Sequence, residues 1–325
     1  MLEFVRSGGR IFCIETIPFK SPGWKDHEIR DKEINDIIGE LKKYTGGFIH
    51  LKKPEKDFIN WYRNIQSQYN IIPYIRIDKP DPWVMQNRYR SDNGSEVLYI
   101  INSHLHNSWR SKITFSKVLS AGKFCWIWDP ESGKRFRISL SRDGSLDVTL
   151  GPAESRLFVF DRNKNGSFWN PLPVSGTSEV RLDSGWSAEF IHCRNGSSVK
   201  VQIDTLKDLK DIPEFADFAG IVIYRNKVMI DSPAKLYINL GKVWGVSELR
   251  VNGCYCGAKW YGRRIFNISK YLKQGLNEIE ISVATSMGNY MKSLTDNPIA
   301  QYWTNEKNKI QPVQSMGLIG PVTIY

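Results

Sequence analysis

The chain reads as mainly β, with two β-sandwich domains preceded by a partial α/β segment. Three observations predict this. Past residue 80, apolar and polar residues repeatedly alternate, the period of a strand with one buried face. Asn93-Gly94, Asp143-Gly144, Asn165-Gly166, Asn195-Gly196 and Asn252-Gly253 punctuate that stretch, and such pairs supply the positive φ angles of tight turns. The first 75 residues instead interleave short apolar runs with charged segments of helical period.

The elements follow in order. Gly8-Gly9 leads into an apolar strand, Arg10 to Ile14, and the charged stretch Asp26 to Lys43 sets Ile29, Ile34, Ile37, Ile38 and Leu41 at roughly helical spacing. A second strand, Phe48 to Leu51, follows Gly46-Gly47, and a second helix opens after Pro54 with Phe58, Trp61, Tyr62 and Ile65 on one face. This order predicts parallel strands joined by a crossover helix, and residues 1–80 are too few for a complete doubly wound domain. Residues 82–162 read as a β-sandwich with strands at 97–101, 113–115 and 157–160. Phe136, Ile138 and Leu140 are expected to turn at Asp143-Gly144 and return as Leu146, Val148 and Leu150, making one hairpin with a buried face. Residues 163–183, with Pro171, Pro173 and Gly176, read as a linker. Residues 184–325 form the last domain, where Ile279, Ile281 and Val283 alternate with Glu278, Glu280 and Ser282 and are expected on one buried side.

Composition narrows the function classes. At 325 residues, 41% hydrophobic and 12% aromatic, the chain can build sizeable cores. Lys+Arg 45 against Asp+Glu 34 gives a net charge of +11, but the basic residues are dispersed and form no long block or nucleic-acid motif, so no nucleic-acid partner is expected. The five cysteines, at 13, 125, 193, 254 and 256, are too scattered for a disulfide framework and read as structural thiols. Cys254-Tyr-Cys256 and His104-Leu-His106 could each offer two metal ligands, yet neither has a clustered third, so neither metal nor cofactor is expected. The N-terminus lacks an export-signal pattern and no run of about 18 apolar residues occurs, so a soluble chain without a membrane span is expected. Were it a fragment, a signal on the parent would be left open.

Motifs along the whole chain add a family resemblance. The run Leu236-Tyr-Ile-Asn-Leu, Glu248-Leu-Arg-Val-Asn-Gly253, Leu276-Asn-Glu-Ile-Glu-Ile-Ser-Val283 and Ser315-Met-Gly-Leu-Ile-Gly-Pro321 resembles the galactose-binding-like jelly roll, akin to family 2 sugar-binding domains, that accompanies large bacterial glycoside hydrolases. Trp128-Asp-Pro-Glu-Ser-Gly133 is similar to a turn in their linking sandwiches, and Phe218-Ala-Gly-Ile-Val-Ile-Tyr224 to a strand that usually has Ser where Ala219 stands. Gly8-Gly9, Ile11 to Ile14, Ser21-Pro22-Gly23 and the helix from Asp26 to Glu40 resemble the glutamine-amidotransferase-like, flavodoxin-like subdomain of glycoside hydrolase family 106, here lacking its first strands. The resemblance implies the C-terminal portion of an α-L-rhamnosidase-type enzyme, with the catalytic barrel absent.

Glycoside hydrolysis needs two carboxylates flanking one bond, usually on a barrel of about 250 residues. The α/β segment is far shorter, and Glu15 at its strand end has no identifiable partner acid, so no catalytic residue is assigned. No Ser-His-Asp set, phosphate loop or His-Glu-x-x-His helix is present. Aromatic recognition remains, because sugar rings stack on aromatic faces while charged and amide groups bind their hydroxyls. The best cluster is Trp260, Tyr261, Arg263 and Arg264 beyond the Asn252-Gly253 turn, joined by Asn289, Tyr302 and Trp303. The competing interpretation is that Trp260 and Trp303 pack the sandwich or a neighbouring domain. Where the related domains carry Leu-Trp-Lys-Pro-Pro, Trp260 matches and Gly262 and Arg263 replace the prolines. The expected role is therefore a non-catalytic part that supports a parent glycosidase, with the missing catalytic domain as partner and weak carbohydrate contact. A free-standing carbohydrate-binding protein and an active glycosidase are the alternatives.

Overall fold

The computed structural model describes residues 1–172, 179–233, 236–304 and 312–325, arranged as two compact units, Met1–Pro73 and Tyr74–Tyr325. Pro173 and Gly176, expected in the linker, lie outside the described residues.

The first unit is α/β. Strands Ile11–Ile14 and Phe48–Leu51 pair in parallel, Ile11 opposite Phe48, with helix His27–Lys42 as the crossover between them. Parallel neighbours need such a connection, as the sequence order predicted. Of the apolar residues placed on that helix, Ile38 and Leu41 join Val5 and Phe48 in a small core with Ile34 against it, while Ile29 and Ile37 are exposed. The next helix is Phe58–Gln68, capped by the Asp57 carboxylate, which accepts from the Asn60 N–H. Only Ile65 of its anticipated face is buried; Phe58 and Tyr62 are exposed.

The second unit holds two sandwiches. In the first, a five-stranded sheet runs in the order Val84–Arg90, Glu96–Asn102, Ser155–Asp161, Phe124–Trp128, Arg135–Ile138. Its partner is a three-stranded sheet of Ile75–Ile77, Trp109–Phe115 and Ser145–Leu150. The first of these strands lies within the stretch read from sequence as α/β. Inward residues of both sheets make one core, in which the Phe115 ring meets Phe158 and Phe160 edge-on at 5.2 and 5.0 Å. One expectation is overturned. The strands flanking Asp143-Gly144 do not pair as a hairpin: Arg135–Ile138 pairs with Phe124–Trp128 and Ser145–Leu150 with Trp109–Phe115, so the turn carries the chain from one sheet to the other. Alternation identifies an inward face equally well on either layer, so Ile138 and Val148 can share a core without being cross-strand neighbours. Asn93-Gly94, Asn195-Gly196 and Asn252-Gly253 do join paired antiparallel strands, whereas Asn165-Gly166 lies in a loop.

The jelly roll follows. Its larger sheet has six strands in the order Ser198–Ile203, Trp186–His192, Gly220–Ile230, Gly275–Ala284, Val246–Val251, Cys254–Lys259. Val180–Arg181, Thr323–Ile324, Tyr237–Asn239 and Ile265–Asn267 form a second sheet, and Lys242–Trp244 pairs with Gly317–Gly320. All these pairs are antiparallel. Ile279, Ile281 and Val283 are fully buried, in the register that their alternation predicts. Gly220 is required for close approach as well as conformation: its φ is +156°, and a Cβ there would sit 2.1 Å from the Ile191 carbonyl oxygen. Among the described residues no helix is long and apolar enough to cross a membrane.

Candidate functional site

The loop that follows strand Cys254–Lys259 divides its residues sharply. Trp260 is 60% exposed and its ring lies 4.6 Å from that of Tyr261. Tyr261 turns inward, its hydroxyl hydrogen-bonded to Ser155 of the first sandwich; burial, then the negative charge of Glu131, pushes its pKa up to about 12. It therefore stays a neutral donor and acceptor at physiological pH. Arg263 reaches Glu154 with two bonds, Nε to Oε2 at 2.7 Å and Nη2 to Oε1 at 3.1 Å. Arg156 donates to the same carboxylate at 2.8 Å, and the Gly151 N–H does so at 2.7 Å. A second pair, Lys259 with Glu131 at 2.6 Å, joins the jelly roll to the Trp128–Gly133 turn.

Two glycines make this junction possible. Gly262 has φ +64°, and a Cβ there would approach Glu154 Cγ to 2.9 Å; at Gly151 a Cβ would meet Arg263 Cγ at 2.4 Å. Gly262 thus has a local physical reason. Burial by itself would raise the pKa of Glu154. The hydrogen bond and charge of Arg263, the charge of Arg156 and the Gly151 N–H outweigh it and hold the carboxyl below its ordinary range. A carboxylate so firmly ionised is unsuited to donate a proton as a general acid.

Between the sandwiches lies a cavity of about 180 Å³, with Glu131, Tyr261 and Arg263 among its walls. Among the described residues Glu131 Oε1 is buried without a hydrogen-bond partner, and so is Arg264 Nε. Arg264, placed in the binding cluster by sequence, is only 6% exposed, and its guanidinium donates weakly to the carbonyls of Gly262 and Gly245, both at 3.3 Å. Its burial lowers its pKa, opposed by Glu131.

The other expected residues have different surroundings. Asn289 is buried and spends its amide on Gln314, donating to the carbonyl and accepting from the N–H, both at 2.8 Å. Its role is to tie helix Gly288–Ser293 to the strand approach, and nothing of it is presented to a ligand. Trp303 is exposed at the end of helix Pro298–Trp303, edge-on to Tyr302 at 5.8 Å. Glu15 lies in the first unit with φ +65°, its carboxylate accepting from the Lys53 N–H at 2.7 Å. His104 pairs with Asp81 at 3.5 Å and His106 meets Trp244 edge-on, and all five cysteines are free. Among the described residues no group of three or more His, Cys, Asp or Glu could hold a metal. Sequence reasoning missed Glu154, Arg156 and Gly151; the Trp128–Gly133 motif did contain Glu131, without showing what it would face.

No protein-family model and no curated protein matches the chain. Among solved structures, a rhamnosidase from Novosphingobium sp. PP1Y is similar over 96% of this chain, at 19% identity and a TM-score of 0.57. The fold is glycoside-hydrolase-like. The chain spans 30% of the length of that rhamnosidase. A β-glucuronidase from Ruminococcus gnavus (16% identity, TM-score 0.31, 35% of this chain and 22% of that one) is also similar. An FMN-binding β-glucuronidase from Facaelibacterium prausnitzii L2-6 (15%, 0.33, 45% and 22%) is similar to the same low degree.

Proposed function

We propose that the chain is the non-catalytic C-terminal part of a larger α-L-rhamnosidase-type glycoside hydrolase, serving to support the parent fold and to contact glycan at the Trp260 loop. The observation that carries this reading is the likeness of nearly the entire chain to under a third of one rhamnosidase. The Glu154–Arg263–Arg156 and Glu131–Lys259 contacts fit a supporting role, since they hold two sandwiches in one geometry. Glycan contact is favoured by the exposed Trp260 face beside Tyr261, an apolar surface on which a sugar ring could stack. Such a site would be weak, with Kd around 1 mM, because stacking and a few hydrogen bonds must outweigh docking entropy.

The test has two arms. The purified chain is assayed on aryl rhamnosides and galactosides, where no turnover is expected; activity that survives repurification and disappears on mutating a carboxylate of this chain would overturn the non-catalytic role. Glycan-array binding and calorimetric titration of the wild type against Trp260→Ala then address contact, and equal binding by both proteins would remove the Trp260 loop from the proposal.

A further inference from the structure

Among the described residues the first sandwich has an open flank. Its edge strands Arg135–Ile138 and Ser145–Leu150 belong to opposite sheets, and between them remains a cavity of about 600 Å³. Ile127, Val148 and Phe158 make an apolar floor, and Phe168 and Trp169 form a wall. That volume lies within the range of small-molecule sites.

The charges around it do not balance. Arg110, Arg137, Arg156 and Arg263 all line the cavity, and the acid on its wall among the described residues is Asp147. Arg156 and Arg263 share a single carboxylate, Glu154, although their side chains are only 14% and 21% exposed. Arg137 has no acid partner among the described residues: its guanidinium lies over the Phe124 and Phe168 rings and donates to the Lys164 carbonyl. Arg110 makes no ion pair either among the described residues. Four arginines thus line an apolar space, with Asp147 on its wall and Glu154 beside it, and Asp129 also draws on Arg156. Arg110 is exposed and Arg137 half-buried, but Arg156 and Arg263 are largely buried with one carboxylate between them, so a negative ligand group would offset the second buried charge. The strain shows on Arg156, whose pKa is lowered first by burial and further by Arg263, against the opposing pull of Glu154.

We propose that this cavity binds a small organic carboxylate with an apolar body. The carboxylate supplies the missing negative charge, with planar guanidinium groups as bidentate donors, and the body replaces water against Ile127, Val148, Phe158 and Trp169. The cavity shares Arg156, Arg263 and Trp169 with the smaller cavity beside the Trp260 loop, but Trp260 lines neither and the proposal does not depend on the carbohydrate reading.

Hydrocinnamate is the probe, titrated into the full chain by calorimetry with tryptophan fluorescence as a second readout. Binding at one site with Kd below about 1 mM is expected, with its neutral amide at least about tenfold weaker. Arg110→Gln, on an exposed side chain with no ion pair, should fold normally and weaken hydrocinnamate several-fold. Leu146→Trp, which fills the cavity, should abolish binding; if that variant fails to fold, the acid-to-amide ratio and Arg110→Gln still decide. Equal binding of acid and amide, or no binding at 10-fold above that concentration, overturns the proposal. Acetate or glucuronate binding as tightly as hydrocinnamate would overturn the apolar body. All arms keep Trp260 intact, so failure here is distinct from failure of glycan contact.

Discussion

The two sandwiches obey the same alternation but close differently. In the jelly roll, Gly220–Ile230 and Gly275–Ala284 run side by side through ten paired residues, and the six-stranded sheet packs on strands that bring Ile238, Phe266 and Ile324 into one continuous core. In the first sandwich three strands face five, and among the described residues the flank between Arg135–Ile138 and Ser145–Leu150 stays open. A periodic pattern therefore says which residues point inward, but not whether the opposite layer is broad enough to cover them. The uncovered flank is where arginines gather, and the junction between the sandwiches is where two of them find Glu154.

The severest test of this contrast is Glu154→Gln. Removing the shared acid leaves two largely buried guanidinium groups uncompensated, and a loss of about 3–5 kcal/mol is expected in chemical denaturation at pH 7. Because the folded pKa of Glu154 lies below its ordinary value of 4.5, its stabilisation is present above that pH and fades as pH falls through the folded value. The gap between wild type and variant should therefore shrink in acid; a gap independent of pH would mean that the ion pairs do not hold the junction. Ile281→Ala probes the closed core, with a cost of about 2–5 kcal/mol, since Ile281 is fully buried. An unchanged melting temperature would show that the jelly roll is looser than its packing implies.

A smaller effect is expected at the jelly-roll turn. Asn252 has φ +51°, and its side-chain amide donates to the Tyr271 carbonyl at 2.9 Å and to Asn277 at 2.8 Å. Asn252→Ala should cost about 1–3 kcal/mol through those lost bonds. Asn252→Gly keeps the backbone conformation but not the bonds, so comparing the two melts separates them. Smallest of all is Trp260→Ala, where stability should change by less than about 0.5 kcal/mol because the ring is exposed. A large drop in melting temperature would make Trp260 a packing residue and end its role as a sugar platform.

Much of the fold could be read directly. The crossover helix, the strand bearing Ile279, Ile281 and Val283, and three turns at Asn-Gly pairs all follow from local period and turn chemistry. Less of the candidate site was legible. Trp260 to Arg264 look alike in sequence as a polar-aromatic loop, yet Trp260 faces solvent, Arg263 binds an acid 109 residues away, and Arg264 is buried. Asn289 looked available and is consumed by Gln314.

By itself, then, the sequence determined which residues form strands, which face inward and where Asn-Gly pairs reverse the chain, because these depend on neighbours a few residues apart. Only the tertiary structure decided that the strands around Asp143-Gly144 part into opposite sheets, that Gly151 and Gly262 let Arg263 close on Glu154, and that one flank stays open among the described residues. Those outcomes depend on distances between segments far apart in the chain, where burial and charge act through space and leave no periodic trace in the sequence.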